Sequence, residues 1–151
     1  MITSDAIIWN ASTEEHPARS ASQRSYSAVA KGDLAEWLTV YAEDAVIEDP
    51  VGPSMFDPEG MGHRGHEGIS AFWKLAIEPI ETFEFTINES LANPGSNTCA
   101  NLGRIKTSFR DGSYTLTDLI MVYVVNEDGT VASMKAYWEP DRTMASFTPA
   151  S

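Results

Sequence analysis

Turn sequences divide the second half of the chain into extended, apolar segments. The turns are Asn93-Pro94-Gly95, Asp111-Gly112 and Asp128-Gly129, and all three favour tight connections between antiparallel strands. The segments around them predict strands near residues 80 to 91, 98 to 109, 113 to 126 and 131 to 138. This half of the chain is therefore expected to fold as an antiparallel meander.

The third predicted strand is apolar on both of its faces. One face carries Leu116, Ile120, Val122 and Val124, and the other carries Leu119, Met121, Tyr123 and Val125. A sheet that is apolar on both sides needs cover on both sides. We expect one face to meet the helices and a cavity, and the other to meet a partner subunit. The prediction is a homodimer formed through the outer face of the sheet.

The first half of the chain predicts an extended arm followed by three helices. Residues 1 to 19 mix a few apolar side chains with polar residues and proline, as extended arms do. Helices are predicted for residues 21 to 31, for a segment that Asp33 caps with Glu36 at its third position, and for residues 66 to 77. A first strand, residues 45 to 49, precedes the third helix. This order predicts an α+β domain in which helices cover one face of a curved antiparallel sheet.

The first strand ends in the sequence Glu48-Asp49-Pro50. Pro50 favours an extended backbone at Asp49, and the two-residue period of a strand sends Glu48 and Asp49 to opposite faces. One carboxylate is then exposed to solvent and the other is buried. Burial raises a carboxyl pKa toward the range in which the group both takes and returns a proton. Asp49 is therefore a candidate general base, and the same residues also fit an acidic strand end before an ordinary turn.

A long loop follows this strand. Residues 50 to 65 contain three proline and four glycine residues, which is too many for regular secondary structure. Loops of this length commonly cover a functional site. We therefore treat the loop as a candidate lid.

Composition limits the classes of partner. The chain has 151 residues, which fits one domain large enough to hold a ligand cavity. Its formal charge of -12 and pI near 4.5 argue against nucleic acid and anionic membranes. Cys99 is the only cysteine, so no disulfide framework is expected within the chain. With no apolar run of membrane-spanning length and no secretory signal, we expect a cytoplasmic protein.

Several sequence blocks resemble the ketosteroid isomerase family of the nuclear transport factor two-like cone fold, which also includes SnoaL-like polyketide cyclases. The blocks are Gly32-Asp33-Leu34, Tyr41-Ala42-Glu43-Asp44-Ala45-Val46-Ile47-Glu48-Asp49-Pro50-Val51-Gly52, Ala71-Phe72-Trp73, Asp128-Gly129 and Met134-Lys135-Ala136-Tyr137-Trp138. The resemblance covers residues 20 to 142, leaving an arm at 1 to 19 and a tail at 143 to 151. It implies a curved antiparallel sheet wrapped around a long helix, with two further N-terminal helices.

The resemblance also implies a chemistry and a set of site residues. In this family an aspartate at the position of Asp49 moves a proton between carbons of an unsaturated ketone, while a tyrosine and a protonated aspartic acid stabilise the enolate oxygen. Here Ser25 stands at the position of that tyrosine, next to Tyr26, and Met121 stands at the position of the acid. Because adjacent helix positions point about 100° apart, we do not expect Tyr26 simply to substitute for residue 25.

The remaining site predictions concern hydrogen-bond donors and aromatic walls. Tyr41 matches a tyrosine of some family members, and Tyr123 and Thr117 share the face of Met121. An aromatic cavity for a flat hydrophobic molecule is predicted from Trp73, Trp138, Phe83 and Phe85, together with Met121. The predicted catalytic residue is Asp49, and the predicted substrate-binding residues are Ser25, Tyr26, Tyr41, Trp73, Met121, Tyr123 and Trp138.

The main prediction is thus a cofactor-free isomerase-like enzyme acting on a steroid-like or polyketide-like carbonyl compound. One alternative is a non-catalytic protein that binds the same kind of ligand. Another is a SnoaL-like cyclase or epoxide hydrolase, in which Arg104 beside acids supports attack by water, although Arg104 and Lys106 also fit a solvated strand face. No metal is predicted, since the irregular spacing of His63, His66, Asp57, Glu59 and Glu67 does not preset ligand geometry.

Overall fold

A computed structural model describes residues 6–151 of the chain. The helices in this part are α1 (Pro17–Lys31), α2 (Leu34–Val40), α3 (Gly65–Ala76) and α4 (Pro140–Ala145). The strands are β1 (Ile7–Trp9), β2 (Tyr41–Glu48), β3 (His63–Arg64), β4 (Thr82–Leu91), β5 (Thr98–Ser108), β6 (Tyr114–Val125) and β7 (Val131–Tyr137). They form one seven-stranded sheet in the order β1-β4-β5-β6-β7-β2-β3.

The centre of the sheet is the predicted antiparallel meander from β4 to β7. Its two flanks are parallel pairings, because β1 runs parallel to β4 and β2 runs parallel to β7. Gly103 permits the close pairing of β4 and β5, since a side chain there would collide with the carbonyl oxygen of Thr86. The short edge strand β3 pairs antiparallel with β2. The α+β prediction is confirmed, with a curved sheet that is mainly antiparallel and contains two parallel pairings.

The helices begin and end where local caps allow. The Asp33 carboxylate accepts a hydrogen bond from the amide of Glu36 at 3.0 Å, as the predicted cap of α2 requires. Gly32 ends α1 in a left-handed conformation with φ 68°, which other residues rarely adopt. The start of α1 is earlier than predicted, because the imidazole of His16 caps it and Pro17 occupies its first turn.

The two ends of the described chain are built into the sheet domain. β1 lies within the predicted arm and pairs with β4 through Ile7, Ile8 and Trp9. α4 crosses the boundary between residues 142 and 143, and its following turn is tied to β6 by a bridge between Tyr114 and Thr148. Among residues 6–151, no helix is both long and apolar enough to cross a membrane.

Alternation along β6 separates an inner from an outer face. The inner residues, from Thr115 to Val125, are buried against the helices, whereas the outer residues are partly or fully exposed. On the outer face, the register aligns Leu102, Ile120 and Tyr137 in one row across β5, β6 and β7. These three side chains are 46%, 45% and 46% exposed. An apolar row therefore crosses the outer face, as the two-sided pattern of β6 predicts.

Candidate functional site

A cavity of about 230 Å³ lies between the inner face of the sheet and the helices. Its walls are mostly apolar, and their aromatic members are Tyr26, Trp37, Tyr41, Phe56, Phe72, Phe83, Phe85, Phe109, Tyr123 and Trp138. Asp49 is the only charged side chain among the described residues that line it. The cavity therefore offers one carboxylate to a ligand that is otherwise surrounded by carbon and by hydroxyl groups.

Asp49 stands directly after β2, where the strand pattern predicts it. Its Oδ1 atom accepts a 2.7 Å hydrogen bond from the indole nitrogen of Trp138, and the Asp49-Pro50 peptide bond is cis. Burial raises the pKa of Asp49 to about 6, while the bond from Trp138 acts in the opposite direction. Glu48 lies 3.8 Å from the Lys135 amine, so its side chain leaves the strand on another face.

Two phenol groups converge on the sulfur atom of Met121. The hydroxyl of Tyr26 donates to this sulfur at 3.5 Å, and the hydroxyl of Tyr123 lies 3.9 Å from it. The side-chain amide of Asn101 donates to the Tyr26 oxygen at 2.9 Å, which leaves the Tyr26 proton free to point at Met121. Burial raises the pKa of both phenols above the usual range of tyrosine. Both groups are therefore neutral hydrogen-bond donors.

Ser25 belongs to a different hydrogen-bonded group. Its hydroxyl accepts from the indole of Trp37 at 3.1 Å and lies 2.9 Å from the Tyr41 hydroxyl. Burial raises the pKa of Tyr41, and the negative charge of Asp49 adds to this effect. Asp49 likewise raises the pKa of Tyr123, so both phenols lie within electrostatic reach of the carboxylate.

The structure brings most of the predicted site residues into one cavity. Those that line it are Ser25, Tyr26, Tyr41, Asp49, Met121, Tyr123 and Trp138. Trp73 is absent from the described lining and packs against Trp37 instead, with 5.1 Å between ring centroids. Ser25 and Tyr26 both reach the cavity despite their neighbouring helix positions, because the longer tyrosine side chain extends to Met121 on β6.

Sequence reasoning missed Asn101, which is 1% exposed and bonds to both Ser22 and Tyr26. A signal for it exists in the alternation of β5, where Asn101 shares the inner face with Cys99 and Ile105. A polar amide on an inward-facing strand position is buried and must find a partner. What the alternation cannot supply is the identity of that partner on α1.

The loop between β2 and β3 contributes to the cavity wall. Met55 and Phe56 line the cavity, and the ring of Phe56 meets Phe72 edge to face. The Asp57 carboxylate accepts hydrogen bonds from the amides of Met61 and Gly62, at 3.2 and 2.7 Å. The amide of Gly62 and other backbone donors lower the pKa of this carboxyl. The loop is thus fastened at its base over one side of the cavity.

Two other predicted clusters lie away from Asp49. The imidazole of His63 packs on Phe72, and His66 bonds to the carbonyl oxygen of Tyr41 at 2.9 Å. Within residues 6–151, no group of three His, Cys, Asp or Glu side chains is arranged to hold a metal ion. Arg104 is half-exposed on the outer face and pairs with Asp118 at 2.7 Å. The epoxide hydrolase alternative therefore lacks the arginine that motivated it.

Comparison with known proteins agrees with this geometry. Steroid Delta-isomerase of Nocardioides simplex is 29% identical over 122 residues, which are 81% of this chain and 89% of that protein. The crystal structure of RV0760c from Mycobacterium tuberculosis, in complex with estradiol-17β-hemisuccinate, is 30% identical with a TM-score of 0.78, and the match covers 89% of this chain and 99% of that one.

A third relative and a family model extend the comparison. The Delta 5-3-ketosteroid isomerase from a Mycobacterium species is 28% identical with a TM-score of 0.78, covering 89% of this chain and 98% of that chain. The model of the SnoaL-like domain matches residues 22–134. This match includes α1 from Ser22 onward, the Asp49 segment and the meander as far as Met134 in β7. The chain belongs to the SnoaL-like domain family and has the nuclear transport factor two-like cone fold.

Proposed function

We propose that this protein is a cofactor-free, isomerase-like enzyme that transfers a proton within a hydrophobic carbonyl compound, with Asp49 as the base. The observation that carries the proposal is that one apolar cavity contains both the Asp49 carboxyl, with a pKa of about 6, and the neutral phenol groups of Tyr26 and Tyr123. The backbone supports this arrangement, because Ala136 on β7 stands opposite Met121 and its carbonyl oxygen accepts a hydrogen bond from the amide of Val51, two residues after Asp49.

The pKa of Asp49 is appropriate for a base that takes up a proton and then returns it. At neutral pH a carboxyl group with a pKa of about 6 is mostly ionised, and its conjugate acid is still formed readily enough to donate. The carboxylate in this setting accepts a proton from a carbon next to the carbonyl group. It then returns the proton to a second carbon of the same ligand, so that no external acid is consumed.

Tyr26 is well placed to donate a hydrogen bond to the carbonyl oxygen of the ligand. Its proton is directed at the sulfur of Met121, and a thioether is a weak acceptor. A ligand carbonyl oxygen placed beside Met121 would accept this proton more strongly, most of all when negative charge develops on it. The bond from Asn101 to the Tyr26 oxygen polarises the hydroxyl further. Tyr26 thereby takes the part that the family resemblance assigns to position 25, while Ser25 is bonded elsewhere.

A steroid-like ligand is part of the proposal. The aromatic walls match a flat, rigid, apolar molecule. Two relatives are steroid isomerases by name, and RV0760c was solved with an estradiol derivative. The binding-protein alternative uses the same cavity and differs only in the absence of turnover.

We further propose that two copies associate through the outer face of the sheet. The apolar row of Leu102, Ile120 and Tyr137 is flanked by Asp118, which pairs with Arg104 and Arg142 at 2.7 and 2.9 Å. These ion pairs balance charge on this part of an otherwise acidic chain. A second copy presents the same balanced, apolar surface, so the contact is self-complementary. A reducing compartment such as the cytoplasm fits the free thiol of Cys99.

The test follows the conjugated-enone absorbance produced from a β,γ-unsaturated 3-ketosteroid. We expect Asp49→Asn to lower turnover by about a hundred- to ten-thousandfold, while quenching of tryptophan fluorescence shows that the steroid still binds. Asp44→Asn is the matched control, since Asp44 is exposed on the same strand and should retain turnover. Binding without turnover in the wild type would favour the binding-protein alternative and refute the catalytic proposal.

A further inference from the structure

A second group of polar side chains lines the cavity along β6, several residues before Met121. The inner face of β6 carries Thr115 and Thr117 before it reaches Leu119 and Met121. Thr107 on β5 is the register partner of Thr115, and Thr143 on α4 lies 3.0 Å from Thr117, hydroxyl to hydroxyl. All four threonines line the cavity. We call Thr107, Thr115, Thr117 and Thr143 the threonine cluster.

Two hydroxyl groups of the threonine cluster have no partner in the part of the chain that the structure describes. Thr115 is only 5% exposed, lines the cavity, and makes no side-chain hydrogen bond with residues 6–151. The hydroxyl of Thr107 is likewise unpaired within that range. Both hydroxyls face the open space of the cavity, because His63 Nε2 is the only sealed side-chain atom without a partner among the described residues. A ligand that fills this space would remove both hydroxyls from water, which costs free energy unless the ligand itself bonds to them. The arrangement therefore points to an acceptor or donor supplied from within the cavity.

The spacing along β6 sets the distance between two ligand oxygens, one at Met121 and one at the threonine cluster. Thr117 and Thr115 precede Met121 by four and six residues on one strand face. At a rise of about 3.4 Å per residue these separations are about 14 and 20 Å. Subtracting a hydrogen bond of about 2.8 Å at each end leaves about 8 to 14 Å between two ligand oxygens. A rigid skeleton of four fused rings with an oxygen at each end falls in this range.

We propose that the threonine cluster binds a neutral oxygen, either hydroxyl or carbonyl, at the far end of a ligand whose first oxygen lies beside Tyr26 and Met121. This inference rests on the proposed function and adds a requirement for a second oxygen. The group is neutral because no described lining residue other than Asp49 carries a charge. A hydroxyl side chain both donates and accepts, so Thr115 serves either kind of oxygen.

The experiment compares estradiol with 17-deoxyestradiol, which lacks the distal hydroxyl. Dissociation constants are measured by quenching of tryptophan fluorescence. For the wild type we expect estradiol to bind about three- to tenfold more tightly, the effect of one uncharged hydrogen bond. Thr115→Val should bring the ratio of the two dissociation constants close to one while leaving the affinity for 17-deoxyestradiol unchanged.

Two further variants provide a second test of the cluster and a matched control. Thr107→Val removes the paired hydroxyl on β5 and should also lower the ratio, which keeps the test usable if Thr115→Val does not fold. Thr86→Val is the matched control, because Thr86 stands opposite Arg104, on the outer side of the sheet away from the cavity. It should retain the wild-type ratio.

The outcomes separate this inference from the proposed function. Equal wild-type affinities for the two steroids, or an unchanged ratio in both threonine variants, would overturn the role of the threonine cluster and leave the ligand class intact. Failure of both steroids to bind would overturn the role of the threonine cluster together with the proposed steroid-like ligand class. Neither result depends on catalysis, because estradiol is not a substrate for enone formation, so the turnover test of Asp49 stands independently.

Discussion

Two opposing electrostatic effects act on the pKa of Asp49. Its partial burial disfavours the charged carboxylate, whereas the 2.7 Å bond from Trp138 favours it. The balance leaves the pKa of the carboxyl at about 6. A group so placed is sensitive to single substitutions, because removing either effect leaves the other unopposed.

The first prediction concerns the bond from Trp138. Trp138→Phe retains an aromatic wall and removes the donor, so the pKa of Asp49 should rise by about one unit, the effect of a bond to a charged group. We expect the rising limb of kcat/KM against pH to move to higher pH by that amount. Trp9→Phe is the control, since Trp9 bonds to the carbonyl of Ser12 and is not part of the cavity lining. An unmoved limb in Trp138→Phe would contradict the assignment of Asp49 as the titrating base.

The second prediction links the same carboxyl to stability. Its pKa is raised on folding from 3.8 to about 6, so the folded state binds more protons in that window and the Asp49 contribution to stability is lost as pH rises through it. Asp49→Asn removes this dependence. Relative to wild type, the variant should therefore be more stable near pH 8 than near pH 4, with a free energy of unfolding that is larger by about 2 kcal/mol.

Urea unfolding at the two pH values measures this difference. Other carboxyl groups, such as Asp118, have lowered pKa values and oppose the trend in each protein alone. They cancel when wild type and variant are compared at the same pH. A relative stability that falls toward pH 8 would mean that Asp49 is stabilised as a carboxylate, contrary to a base poised by burial.

At the scale of elements, the loop between β2 and β3 closes one side of the cavity. Its order depends on local bonds, chiefly those from the amides of Met61 and Gly62 to Asp57. Phe56 is the part of the loop that reaches the inner wall, where it meets Phe72. A short set of hydrogen bonds at the surface therefore positions an aromatic side chain at the site.

The third prediction follows from this arrangement. Asp57→Asn weakens both backbone bonds, since a neutral amide is a poorer acceptor than a carboxylate. Hydrogen exchange should become faster in residues 54 to 62 and stay unchanged in β5 and β6, where ladder bonds are unaffected. Asp111→Asn is the control, because Asp111 makes similar bonds within its own turn, to Ser113. Loop exchange that is equally fast in both variants would show that Asp57 does not hold the loop.

For the whole molecule, the outer face of the sheet is the surface through which we propose that two copies associate. Leu102, Ile120 and Tyr137 give this face an apolar row, while the inner face is already covered by helices. A sheet with one covered and one apolar, open face is expected to pair with another such face. The proposed dimer would bury this row without altering the cavity.

The fourth prediction tests that assembly. Ile120→Lys places a charge at the centre of the row, and two copies facing each other would then bury like charges. We expect the wild type to run as a dimer and Ile120→Lys as a monomer in light scattering after size exclusion, with the steroid still bound. Leu91→Lys is the control, because Leu91 is also exposed but lies at the end of β4. A monomeric wild type would refute the dimer.

Much of the fold follows from local patterns that the chain carries itself. The turn sequences fix the meander, Asp33 fixes the start of α2, and Glu48-Asp49-Pro50 fixes the end of the first long strand. These features depend on residues close in sequence, so they can be predicted from the sequence alone. The early start of β2 at Tyr41 was less accessible, because α2 ends at Val40 and passes into the strand without a breaker residue.

The sequence by itself determined the class of fold, the position of Asp49 at a strand end and the inward face of β6. Only the tertiary structure decided which side chains meet at the cavity: Tyr26 with Asn101 and Met121, Ser25 with Trp37, and Thr117 with Thr143. The parallel flanks made by β1 and β2 were decided in the same way. The physical reason is that strand periods and turns are local, whereas these contacts join residues brought together only when the sheet curves around α1 and the helices close over it.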